Sequence, residues 1–423
     1  MKMLTAALVL GLVLSLSGAS SVEAKPKKGK PPAVKVVKET NQSLTPAKPA
    51  KKQPKVQRPV TPKVVCLRNP AVPEGRLDIT ERICQAKRLL ANRVADAGYC
   101  TKTTMKCRGK GKRQKCREVT TSSFCRRSIL IAAMDPKGNI KVIEVDAQTG
   151  KSETAGYTVQ LSVRDGVDSE YDVRVPPGQL VVGMQFPLQM KTARGLIIER
   201  ALYTPYTREL REAYPELVTL GWSYLNDGLS EARQKIEESG VSLDDIDPRA
   251  VFTLVMIEHF SNEELSDARV EEEMYRVALT LGANGGAAYK YSVSSAEARG
   301  IGQFMPKTWA ALRSRYSQLL NMEFFSGSTS HPQAFIAQYL LAKEDLKYLL
   351  GQRGWRGESM RIWTFLSDPR QVGEFLALAY NGGGPRAHRW LESNRKMTIP
   401  LEGVKYIRKF NQVWSVLERL QTN

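Results

Sequence analysis

Histidine is scarce in this chain, at three in 423 residues, and every cysteine lies between positions 66 and 125. With so little histidine and no CxxC pair, the sequence offers poor material for a zinc or other transition-metal centre, so no metal and no cofactor are expected. Beyond the N-terminal apolar stretch, no run is long and apolar enough to suggest a membrane span. Negative charge is also short, with 43 acidic against 63 basic residues and a formal net charge of +20. That balance points to polyanionic partners. Residues 25–63 contain one acidic residue and no aromatics. Such a segment has nothing with which to build a core.

What is present begins with Lys2 and the run "MLTAALVLGLVLSLSG", followed by "ASSVEA" and "KPKK". A charged start, an apolar stretch shorter than a membrane span and small residues at a cleavage site make a secretory signal peptide over residues 1–24, cut after Ala24. The mature protein is then expected to be soluble and exported, to a periplasm, cell wall or extracellular space, without a transmembrane anchor. Six cysteines, Cys66, Cys84, Cys100, Cys107, Cys116 and Cys125, suit an oxidising compartment and are expected to form disulfides of open connectivity. The Lys/Pro-rich residues 25–63 read as a disordered linker that either spaces the next domain or adheres to anionic cell-envelope polymer. Export sets nucleic acid aside as a partner.

Residues 64–190 read as a small disulfide-rich α+β accessory domain. "DITERICQAKRLLANRVADAGYC" has helical spacing, and "CTKTTMKCRGKGKRQKC" reads as a basic loop held by cysteines. "SILIAAMD", "IKVIEVD", "GYTVQLSV", "EYDVRV" and "QLVVGMQF" alternate with period two and read as strands. Residues 191–423 read as almost wholly helical. Their first helical segment is "TRELREAYPELVTLGWSYLNDGLSEARQKIEESG". The expected fold class is thus multidomain, with a mainly α C-terminal domain behind the α+β domain and the basic linker.

Four stretches of the helical part carry candidate chemistry. In "DPRAVFTLVMIEHFSN", Asp247 can cap a helix that Pro248 starts, and residues 251–257 are apolar but for Thr253. Glu258 ends that buried run. There it either reaches solvent at the rim or is buried with a raised pKa, as acid catalysis of glycoside cleavage requires. In "SSAEARGIGQFMPKTW", Gly300 and Gly302 allow close backbone approach, Gln303 offers an amide, and Pro306 begins a helix. Phe304 and Met305 are candidates for core or cleft. In "LAYNGGGPRAHRWL", Tyr380 and Asn381 end a helix at a glycine corner, and in "TIPLEGVKYIRKF", Glu402 and Tyr406 share a helical face. Each stretch alone also fits ordinary packing and capping.

In this order, the four resemble the soluble lytic transglycosylase family over residues 196–420. Its pattern is a Glu ending an apolar helix, S-x-x-G-A-x-G-x-x-Q-x-M-P-x-T, A-Y-N-x-G and I-P-x-x-E-T-x-x-Y-V. The resemblance implies a goose-type-lysozyme-like fold. It implies Glu258 as catalytic acid/base, with Ser294, Gln303, Met305, Tyr380, Asn381, Glu402 and Tyr406 in the substrate cleft. The implied substrate is the peptidoglycan glycan strand, cut between N-acetylmuramic acid and N-acetylglucosamine with a 1,6-anhydro end. Three features depart from the pattern. His259 stands where the family has Ser. Some two dozen inserted residues, with an extra helix and a Gly-rich loop expected at the cleft, follow Glu258. Glu297 stands where the family has its first Gly. Glu271, Glu272 and Glu273 lie in the insertion and read as a solvated charged face. The alternatives are a hydrolase of the same bond, using Glu297 as second carboxylate, and a non-catalytic wall-binding protein.

Overall fold

A computed structural model describes residues 64, 66–67, 77–108, 115–164, 168–192, 195–260, 266–294, 296–352, 355 and 360–422. The expected signal peptide and linker lie outside the described residues. All described residues belong to one compact unit, Lys55–Asn423. Its N-terminal region is rich in strands and disulfides, and its C-terminal region is helical.

Helix α1 (Ile79–Ala91) starts where the Asp78 carboxylate accepts from the Thr80 and Glu81 backbone N–H groups. It ends at Asn92, short of the extent that its helical spacing suggested, and the chain turns extended before Cys100. Next comes a ribbon of β1 (Ala97–Arg108) and β2 (Lys115–Arg126), where a basic loop was expected. The β-branched Thr101, Thr103, Thr104, Val119, Thr120 and Thr121 favour the extended form, and Cys107 pairs directly opposite Cys116. The other disulfides are Cys66–Cys84 and Cys100–Cys125.

The main sheet is antiparallel, in the order β4 (Ile140–Asp146), β3 (Ser128–Met134), β7 (Leu180–Thr192), β8 (Gly195–Tyr203). A second ribbon joins β5 (Thr158–Arg164) to β6 (Asp168–Arg174). Every residue of β3 is buried, because both faces of the sheet are covered. Leu130, Ala132 and Met134 face α1, whereas Ile129 and Ile131 join Val159 and Val173 on the other side. The strand β8 corrects the expectation that residues from 191 onward open the helical part. Its pairing with β7 over nine register positions, from Met184↔Tyr203 to Thr192↔Gly195, outweighs any helical tendency.

The helical region begins at α2 (Arg208–Ala213). The first helical segment is two helices, because Pro215 interrupts it before α3 (Glu216–Glu238). Then follow α4 (Pro248–Ile257), α5 (Asp267–Asn284), α6 (Pro306–Arg315), α7 (Phe324–Gly327), α8 (His331–Leu350), α9 (Met360–Leu366), α10 (Pro369–Gly382), α11 (Gly384–Glu392) and α12 (Leu401–Thr422). Helix α4 is central, packed against α3, α8, α10 and α12. Among the described residues, no helix is long and apolar enough to cross a membrane.

The two regions share a core. Ile79, Ile83, Ala86 and Leu90 of α1 pack in one cluster with Leu210, Leu217, Val218, Ala278, Leu279 and Ala283 of the helical region. Lys87 is buried at this seam and its Nζ donates to the Ala283 carbonyl, 2.8 Å away. The strand-rich region is therefore packed into the body rather than carried as a spacer.

Candidate active site

Helix α4 fixes the position of Glu258. Asp247 caps its start by accepting from Arg249 N at 2.8 Å, and residues 250–257 are all buried. Glu258 is the C-cap residue and is half-buried, at the rim of the buried run. The next residue, His259, turns inward. It is 1 % exposed, its Nε2–H donates to the Ile301 carbonyl at 2.8 Å, and its ring stacks on Tyr289 with centroids 3.6 Å apart. Burial pushes the His259 imidazole down to about 3, so it stays neutral at ordinary pH.

The insertion supports this turn. Arg276 of α5 donates to the His259 carbonyl and to Glu273 Oε2, at 2.8 Å from Nη2 to the carboxylate. Glu273 is buried in that pair, Glu272 accepts from Tyr206 and Arg211, and Glu271 pairs with Arg419. Glu271 and Glu272 tie α5 to its neighbours while staying part-exposed, and Glu273 is buried against Arg276 of the same helix, so the run is not the uniformly solvated face expected of it. The partners of Glu271 and Glu272 lie far along the chain, which is why those two look solvated in sequence. The expected extra helix is α5, but its inner face fills the core, and the Gly-rich turn after it brings Tyr289 to His259.

The second motif forms a tight loop. Ser294 Oγ accepts from Ala296 N and Ala298 N, and Arg299 bridges both Val293 and Phe304. Gly300 has φ of 73°, and a Cβ there would lie 1.8 Å from the Ser328 carbonyl oxygen. A Cβ on Gly302 would lie 2.7 Å from Gln338 Nε2. Gln303 takes φ of 45° and is 9 % exposed. Its Nε2 donates to Ser292 Oγ at 3.0 Å and to the Gly300 carbonyl at 2.8 Å, while its buried Oε1 has no partner among the described residues. A non-glycine residue held in the left-handed region next to an unmet acceptor is a common mark of a functional loop. Phe304 is core, Met305 is exposed, and Pro306 starts α6. Glu297 is exposed at φ of 68°, and its carboxylate counters the lowering of the Arg299 guanidinium pKa by burial.

The third and fourth motifs close the site. The Tyr380 hydroxyl, on the last turns of α10, donates to the Gly302 carbonyl and accepts from Gln338 Nε2 at 3.2 Å. Its ring stacks nearly parallel on Tyr406 of α12, 6.4 Å between centroids and 11° between planes. The Tyr406 hydroxyl donates to Glu258 Oε1. Burial first, and then the Glu258 carboxylate, push both phenols well above their ordinary range, so both remain neutral donors. Asn381 is exposed at the end of α10 and lies against Gly403 in the first turn of α12, beside exposed Glu402.

The fold therefore links Glu258, Tyr406, Tyr380, Gly302 and Gln303, one or more from each motif. Ser294 shapes the loop from within. Sequence reasoning missed Gln338, although a glutamine inside the apolar stretch "AFIAQYLLA" has to find partners once buried. It also missed Arg276. Among the described residues, no cluster of His, Cys, Asp and Glu could hold a metal ion. Comparison with family models, with curated proteins and with solved structures finds no match to this chain.

Proposed function

We propose that the chain is a peptidoglycan lytic transglycosylase with a goose-type-lysozyme-like helical domain, exported and acting on glycan strands. One observation carries the proposal: the hydrogen-bonded and stacked series Gly302–Tyr380–Tyr406–Glu258, which ends on the one carboxylate at the tip of a buried helix. Ordinary packing does not require four separated motifs to converge on a single glutamate.

In this proposal Tyr406 holds and orients the Glu258 carboxylate through Oε1. Glu258 protonates the glycosidic oxygen between N-acetylmuramic acid and N-acetylglucosamine. The C1–O bond breaks and N-acetylglucosamine leaves with a free 4-hydroxyl. The Glu258 carboxylate then takes the proton of the muramoyl C6 hydroxyl as its oxygen attacks C1, closing the 1,6-anhydro ring and regenerating the acid. No water is consumed and no second carboxylate is needed. Gln303 holds the loop through Ser292 and the Gly300 carbonyl, and its buried Oε1, unpaired among the described residues, becomes an acceptor for a sugar N–H or hydroxyl only when the loop uncovers it. Exposed Met305, Asn381 and Glu402 line the approach, and His259 keeps the loop at Ile301 fixed to the helix bearing the acid. Three disulfides and the absence of a membrane-spanning helix among the described residues are compatible with export.

The test is digestion of purified sacculi. Wild type is expected to release soluble muropeptides, and Glu258→Gln to release none while still sedimenting with the wall. Equal release by both proteins would overturn the role given to Glu258.

A further inference from the structure

The β1–β2 ribbon has a second property that the candidate site does not use. In an antiparallel pair, residues opposite one another share a face and successive residues alternate. The register places Lys102, Lys106 and Arg108 of β1 on one face with Arg117 of β2, which lies opposite Lys106. All four are exposed, and none has a carboxylate partner among the described residues. The ribbon's one acidic residue, Glu118, lies opposite Met105 on the other face. Tyr99, Met105 and Phe124 are on that other face as well.

The disulfides maintain this segregation. Cys107–Cys116 joins directly opposed residues, and Cys100–Cys125 crosses one rung. A slip of one residue would carry Arg117 to the opposite face, and the two covalent links prevent it.

We propose that this face docks an anionic, phosphodiester-bearing glycopolymer of the cell envelope, laid along the ribbon. The cations of β1 form a row, with about 14 Å from Lys102 to Lys106 and about 7 Å on to Arg108. A row two strands wide fits one extended chain. The face has no aromatic ring, so it lacks the stacking platform that single-stranded nucleic acid uses. It also has no large apolar side chain to insert into a bilayer. Arg108 and Arg117 supply the forked donors that suit phosphate oxygens. The proposal is independent of the cleavage reaction and requires only that the protein meet the envelope.

Binding is best measured on full-length Glu258→Gln protein, so that digestion does not interfere. The ligands are cell walls carrying phosphodiester polymer and the same walls stripped of it with hydrofluoric acid. Adding Lys102→Gln, Lys106→Gln, Arg108→Gln and Arg117→Gln together is expected to weaken binding about 100-fold at low salt and to reduce the slope of log affinity against log salt by about three, at roughly 0.7–0.9 per neutralised phosphate. Stripped walls are expected to bind the parent more weakly than intact walls do and to abolish the difference between parent and variant. Thr101→Gln, Thr103→Gln and Thr120→Gln on the opposite face are expected to leave affinity unchanged. Equal binding by parent and cation variant overturns the proposal. So does parent binding that survives stripping undiminished, an equal loss in the threonine variant, or tighter binding to oligo-dT or to anionic vesicles.

Discussion

Lys87 offers a quantitative test of the shared core. Its ammonium is 3 % exposed at the seam between α1 and α5, and burial pushes its pKa from 10.5 down to about 7. In the unfolded chain the group stays charged up to about pH 10.5, so between pH 7 and 10.5 the unfolded state holds one more proton than the folded state. Stability must therefore rise with pH across that window. Below pH 7 the charged group is buried and its cost is complete, corresponding to about 5 kcal/mol. At pH 9 about 2 kcal/mol of that cost is left, so the wild type gains about 3 kcal/mol between pH 6 and pH 9 from this residue alone. The neutral amine still donates to the Ala283 carbonyl. Lys87→Met removes the titration and keeps an unbranched side chain of similar length. The assay is urea unfolding of wild type and variant at pH 6, 7, 8 and 9 with disulfides intact. The variant is expected to be the more stable at pH 6, with the gap narrowing by about 3 kcal/mol by pH 9. Parallel pH profiles would refute the argument, because they would mean that Lys87 reaches water and the seam is open.

Two further outcomes bear on the site. Tyr406→Phe removes a hydroxyl donor to a carboxylate, an interaction of about 1.5–3 kcal/mol, and is expected to lower the cleavage rate of sacculi 10- to 100-fold without changing the circular dichroism spectrum. Gly300→Ala and Gly240→Ala both place a side chain at positive φ, 73° and 85°, but only the former meets backbone, since nothing lies within 4 Å of the Gly240 position. Gly240→Ala should cost roughly 1–2 kcal/mol in a thermal melt and Gly300→Ala several times as much.

Much of the scaffold was legible in the sequence because its signals are local. Asp247 and Pro248 mark the start of α4, and the apolar residues 251–257 mark its burial. The period-two strings from Ser128 onward mark strands. What escaped was set by partners distant in sequence. The ribbon looked like a loop because its pairing partner was hidden behind a Gly/Lys run. Likewise, β8 was given to the helical part because only its register with β7 makes it a strand. Glu273 looked solvated because the run around it is charged, although its partner Arg276 stands one turn on in the same helix; what the sequence hides is that Arg276 also donates to the His259 carbonyl and is buried there. The need for glycine at position 300 could be suspected from sequence, but its cause, the Ser328 carbonyl, could not. Gln338 acts on Tyr380, 42 positions away, and nothing local indicates it.

The proposed chemistry is tested most directly by the mass of the muropeptides released from sacculi by the wild-type protein. The account predicts 1,6-anhydromuramoyl ends, one water lighter than reducing ends, from a reaction that incorporates no oxygen from labelled water. Reducing ends carrying that label would contradict it and would make the protein a hydrolase of the same bond.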